Sequence, residues 1–168
     1  MPTTKPIRDR ITELRKSYEL LRKGKDSLLQ IIDEAELPEN VYNSNAIENS
    51  TLTLKETEKI LLELAVSRNL SLREVFEAKN LAKVAEYIKL KSKEKNLDEE
   101  MILFLHRMLM TNIKDEIAAR FRQKGEYVRV GTYIAPDPAH IERLIEQNLL
   151  EYDANTEAYF TDKIARFH

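Results

Sequence analysis

Apolar residues recur at helical spacing along most of this chain. Ile7, Ile11, Leu14, Tyr18 and Leu21 follow one another at intervals of three and four, which predicts an amphipathic helix ending near Gly24. A second, short helix carries Leu28, Leu29 and Ile32 and is expected to stop at Leu37-Pro38, because proline cannot continue the hydrogen-bond ladder. Val41, Tyr42 and Ile47 anchor the stretch that follows. Two capping boxes then start helices. Thr53-x-x-Glu56 opens one through Ile60, Leu61 and Leu64, and Ser71-x-x-Glu74 opens a longer one through Val75, Ala78, Leu81, Ala82, Ala85 and Ile88. Its small residues let another helix approach closely. Met101 to Met110 reads as a strongly apolar, central helix.

The period changes once. Gly125 to Pro136 is β-prone, and two short strands flanking Gly131 make a hairpin. Asp137-Pro138 supplies an N-cap and a first helical residue for a helix burying Ile141, Leu144, Ile145 and Leu149. A last helix starts near Asn155-Thr156-Glu157 and is still amphipathic at His168, with no stop signal, so the chain reads as cut there. These elements give an all-α fold with one β-hairpin.

Composition narrows the chemistry. The 168 residues carry a net charge of -2 with both signs interleaved, which offers no basic stripe for nucleic acid and no polybasic membrane patch. There is no cysteine, and no apolar run approaches the roughly 18 residues that span a bilayer, so the expected setting is cytoplasmic. The three glycines, Gly24, Gly125 and Gly131, are too scattered to form a phosphate loop. The three histidines are scattered too, with no H-E-x-x-H spacing for a metal; His106 fits a hydrogen-bonded core residue better than a base.

Ser44 and Glu48 lie four residues apart, so one helical face presents a hydroxyl and a carboxylate, with Asn49 next. This Ser44-x-x-x-Glu48-Asn49 pattern resembles the inhibitory motif [ST]-x-x-x-E-[GN] of Fic-family proteins. Further segments resemble the family in the same order: Phe76-Glu77-Ala78-Lys79-Asn80-Leu81, Ile102 to Leu109 around His106, Ala119-Arg120-Phe121-Arg122 (the family's G-x-[FY]-R), Tyr133-Ile134-Ala135-Pro136, and Ile164-Ala165-Arg166-Phe167-His168. The resemblance implies a Fic-like helical bundle, with a helical region over residues 1–36 and a Fic amino-terminal region over residues 37–168. It puts an inhibitory helix at about 41–49 and a flap hairpin at about 126–136.

The resemblance also implies a function. A complete protein of this family moves AMP from ATP, with Mg²⁺, to a Ser, Thr or Tyr hydroxyl of a protein target. Glu48, with Ser44 and Asn49 beside it, corresponds to the inhibitory motif, in which the carboxylate takes an arginine away from the ATP γ-phosphate. Val130, Gly131, Thr132, Tyr133 and Ile134 correspond to the flap that docks the target. The signature H-x-F-x-[DE]-G-N-G-R-x-x-R does not occur within residues 1–168, so no catalytic or metal-binding residue is assigned, and the chain alone is expected to be inactive. Glu48 has a plainer alternative, as a solvated residue whose neighbour Asn49 caps a helix. Expected partners are the target protein or a catalytic half, with homo-oligomerisation open. The rival reading is a stand-alone helical interaction module, such as an antitoxin-like partner of a separate Fic protein.

Overall fold

The computed structural model describes residues 4–65 and 70–167, and at Val130 the backbone alone. Among them are seven α-helices and one two-stranded antiparallel hairpin, so the fold is all-α with a single β interruption. The chain divides into two compact units. The first joins Met1–Glu36 to Asn148–His168, a stretch that the family resemblance groups with 37–147; the second is Leu37–Gln147.

In the first unit, α1 spans Lys5–Leu21, with Pro6 in its opening turn. After Gly24, held at φ 72°, α2 begins at Asp26. From the other end of the chain come the last residues of α6 (Ile141–Ala154) and α7 (Phe160–Phe167), which starts five residues later than its sequence signals suggest. Arg8 donates to Asp162 at 2.6 Å and lies over the Tyr159 ring, fixing α1 against the start of α7. Tyr152 and Phe167 meet edge to face at 5.2 Å. Neither α1 nor α7 has a fully buried residue.

The second unit holds the core. Here the proline rule misleads, because α2 runs unbroken from Asp26 to Ile47 with Pro38 inside it. Pro38 withholds the N–H that would bond to the Glu34 carbonyl, a loss worth about 3 kcal/mol in an exposed helix. Burial offsets this: Pro38, Val41 and Asn45 fall on one face and are all buried, Val41 to 1% exposure. Ile47 is on the other side, 79% exposed, and so does not anchor the segment as its hydrophobicity suggests.

Thr53 opens α3 (Leu54–Glu58) with a complete capping box. Its hydroxyl accepts from the Glu56 N–H, and the Glu56 carboxylate accepts from the Thr53 N–H at 2.9 Å. The helix loosens into a π turn over Lys59–Glu63 and ends at Leu64, whose φ is 53°. α4 (Leu72–Lys91) and α5 (Glu99–Met110) pack side by side, with Tyr87 and Phe104 rings 5.0 Å apart. Ala78 and Ala82 of α4 meet Val41, Leu52 and Ile60 in the centre of the core. α5 is not the central helix its apolar sequence predicts. None of its residues is fully buried, and His106 is half-buried rather than a core residue.

Candidate functional site

The end of α2 is built by its backbone. The Ser50 N–H reaches the Asn45 carbonyl at 3.1 Å and the Asn49 N–H the Ala46 carbonyl at 3.2 Å, the paired bonds of a Schellman stop. The stop requires a left-handed residue just past the helix, and Asn49 supplies it with φ 63°. Asparagine is the non-glycine residue that adopts this conformation most easily, which explains why Gly or Asn serves at that place in the motif. Glu48 is therefore the cap residue. Its exposed carboxylate has no hydrogen bond or ion pair among the described residues, and it stands at the helix end where the dipole disfavours negative charge.

Ser44, Asn45 and Glu48 line one wall of a cleft of about 530 Å³. Arg73, Glu77 and Leu81 of α4 form another, and Leu109, Met110, Ile113 and Lys114 close it. Ser44 and Glu48 thus share the cleft, but not as a bonded pair, because the Ser44 hydroxyl donates back to the Asn40 carbonyl at 2.9 Å. Arg73 is held by Glu77 at 2.7 Å, one turn away. Asn45 is 8% exposed, and its amide nitrogen has no partner, leaving a donor unmatched beside the cleft.

Two residues that periodicity does not single out hold these walls in place. The Asn80 amide, 3% exposed, donates to the carbonyls of Leu109 at 2.9 Å and Thr111 at 2.7 Å, satisfying the open end of α5 from α4. Its presence in a stretch resembling the family was the only signal in the sequence. Glu74 departs from its expected capping box. The Ser71 hydroxyl accepts from the Glu74 N–H and donates to Oε2, while Oε1 accepts from both the N–H and hydroxyl of Thr51, at 2.9 and 2.6 Å. That clamp holds the chain directly after the Asn49 stop. The Thr51 hydroxyl and then its N–H keep the Glu74 carboxyl below the usual carboxylate range.

The hairpin pairs Arg129 with Ile134 and Val130 with Tyr133 around Gly131-Thr132. Gly131 has φ 60° and Thr132 does not, the pattern of a turn needing glycine first. At its base, Arg120 grips both oxygens of Glu126, at 2.6 and 2.7 Å. Those bonds, then the Gln123 N–H, pull the Glu126 carboxyl down to about 2. Arg122 donates to the carbonyls of Glu126 and Pro136, closing the loop across its neck. Ala119, at the family's glycine position, is left-handed with φ 58°. Of the residues expected to form a flap, Tyr133 and Ile134 are strongly exposed and Gly131 and Thr132 are exposed; the Val130 side chain lies outside the described residues.

Among the described residues, no three His, Cys, Asp or Glu side chains gather as metal ligands. Of the two cations lining the cleft, Arg73 is already paired with Glu77, which leaves Lys114 alone to meet a triphosphate, so the cleft does not fit a Mg·ATP site on its own residues. No helix among them is long and apolar enough to cross a membrane.

The sequence model of the Fic/DOC family matches residues 96–168. Among solved structures, a Fic domain containing signaling protein from Bacteroides thetaiotaomicron superposes with a TM-score of 0.74 at 24% identity, over 88% of this chain and 57% of that one. Fic-1 from C. elegans superposes with a TM-score of 0.58 at 23% identity, over 89% of this chain and 44% of that one. The chain thus spans roughly half the length of these two structures, and they share its fold. Residues 96–168 are thus Fic/DOC-family sequence, and the all-α core with its one hairpin has the fold of these Fic structures.

Proposed function

We propose that this chain is the inhibitory and target-docking portion of a Fic-type protein adenylyltransferase. The carrying observation is Glu48: an unpaired carboxylate fixed at a helix end, against the local dipole, in a cleft that can admit another segment. A planar guanidinium suits such a carboxylate, because two parallel N–H···O bonds form at once. In this reading the arginine comes from the family signature, and Glu48 draws it from the ATP γ-phosphate. ATP and Mg²⁺ are supplied with the rest of that signature, and Ser44 supports the helix end rather than the arginine, since its hydroxyl is engaged by Asn40.

The hairpin completes the proposal. Its strands are two residues long and its outer edge is open to an extended target segment, which strand addition would register beside Tyr133 and Ile134. The acceptor would be a Ser, Thr or Tyr hydroxyl on that segment.

The test uses the protein that carries the signature. Glu48→Ala should raise transfer of labelled AMP to itself or to a target, while Ser44→Ala should change it far less. Equal transfer by Glu48→Ala and the parent would remove the inhibitory assignment. Proline at Val130 should abolish target labelling but leave the helical signal intact if the hairpin docks the target.

A further inference from the structure

The first unit carries a surface that the proposed inhibition does not use. Ile11, Leu20, Tyr159 and Phe160 floor a groove of about 560 Å³ along α1 and the start of α7, and the charged residues on its rim, Arg15, Lys16 and Lys23 against Glu19, leave it net basic. No residue of α2 lines it. Residues 26–36 of α2 are its chemical counterpart. Leu28, Ile31, Ile32 and Ala35 make an i, i+3, i+4, i+7 stripe, and all four are exposed, Ile31 to 62%.

Charge points the same way. Residues 5–25 carry eight cations against three carboxylates, net +5, whereas residues 26–36 carry Asp26, Asp33, Glu34 and Glu36 and no cation, net -4. The lengths also agree. Ile11 to Leu20 advances about 14 Å along its helix and residues 26–36 about 15 Å.

We propose that a second copy of this chain docks here, residues 26–36 of each copy seated in the basic, apolar groove of the other. The occupant is a second copy because the chain itself presents an acidic, apolar helix of matching length and sign. Groove and helix both belong to the first unit, so a two-fold axis makes both contacts at once and leaves neither groove open. The contact is independent of the Glu48 cleft in the second unit and stands whether or not Glu48 is inhibitory.

Light scattering and sedimentation of the 168-residue chain read the outcome. The parent should be a dimer whose dissociation constant rises roughly tenfold or more between low and high salt, as screening shortens the reach of the charges. Lys16→Glu with Lys23→Glu should give a monomer, since groove and inserted helix are then both acidic. Asp33→Lys, Glu34→Lys and Glu36→Lys together bring residues 26–36 to net +2 and should also give a monomer, since groove and inserted helix are then both basic. Mixed in equal amounts, the two should form a heterodimer, because both grooves regain a helix of opposite sign. That recovery separates loss of the interface from loss of fold, with circular dichroism as a second check. A parent that stays monomeric at high concentration overturns the proposal, as does a dimer indifferent to either reversal or a mixture that remains monomeric.

Discussion

Replacing Asn80 with alanine should destabilise the chain by about 2–3 kcal/mol, almost wholly by uncoupling α5 from α4. The amide is buried, and its two donors go to the carbonyls of Leu109 and Thr111. Each buried acceptor left without a partner costs about 1–3 kcal/mol. Leu109 and Thr111 are only half-buried, so water can take over part of each role and the low end of that range applies to both. For a chain of this size the loss corresponds to roughly 5–10 °C in Tm. Thermal and urea unfolding followed by circular dichroism give the number. Asn80→Asp sharpens the test, since it keeps the shape, deletes both donors and points a carboxylate at two carbonyl oxygens. Near neutral pH it should be the less stable of the two. The introduced carboxyl has its pKa raised in the folded state, because only the protonated form can donate to these carbonyls. Its stabilising contribution is therefore full below the ordinary carboxylate pKa and lost as pH rises, so Asn80→Asp should overtake Asn80→Ala on acidification. An Asn80→Ala variant within about 0.5 kcal/mol of the parent, or no crossing with pH, would refute this account of the α5 end.

Ala119→Gly should stabilise by about 0.5–1 kcal/mol, because φ 58° strains any residue with a Cβ; a fall in Tm would contradict the backbone argument. Glu48→Gln should raise stability by about 0.5 kcal/mol at low salt and less at high salt, since it removes a negative charge from a helix C-terminus; unchanged melting at low salt would count against that conflict. The Glu126 pKa is lowered in the folded state, so its stabilisation is present above the unfolded carboxylate value and disappears as pH falls through about 2. The Gln123 amide should therefore stay protected from hydrogen exchange at pH 3 and lose protection near pH 2, whereas Glu126→Gln should flatten that dependence.

What the sequence disclosed depended on how far apart the partners lie. The Thr53–Glu56 box and the turn at Gly131 are decided within a few residues, and both form as their patterns predict. Pro38 fails as a stop because burial among residues distant in sequence outweighs a local rule. The true partners of Asn80 lie 29 and 31 residues away and that of Glu74 lies 23 away, so no window of helical periodicity contains them. Ile47 illustrates the limit at a helix end, where the apolar stripe runs out just as the backbone turns. In the candidate site, spacing placed Ser44 and Glu48 together, but only coordinates reveal that the hydroxyl is already spent and that a buried amide, Asn45, lies between them.

The left-handed residue at Asn49 does more than end a helix: it acts as an indexing pin. Each helical residue turns the chain by about 100° and advances it about 1.5 Å, so a stop displaced by one position would swing the final carboxylate to another bearing. Deleting or adding one residue between Ser44 and Glu48 would keep every side chain of the motif and lose its aim. A residue added after Ser50 would fall beyond the pin and leave the bearing of Glu48 unchanged. The motif thus encodes a direction as well as a chemistry, and the direction is written in backbone handedness.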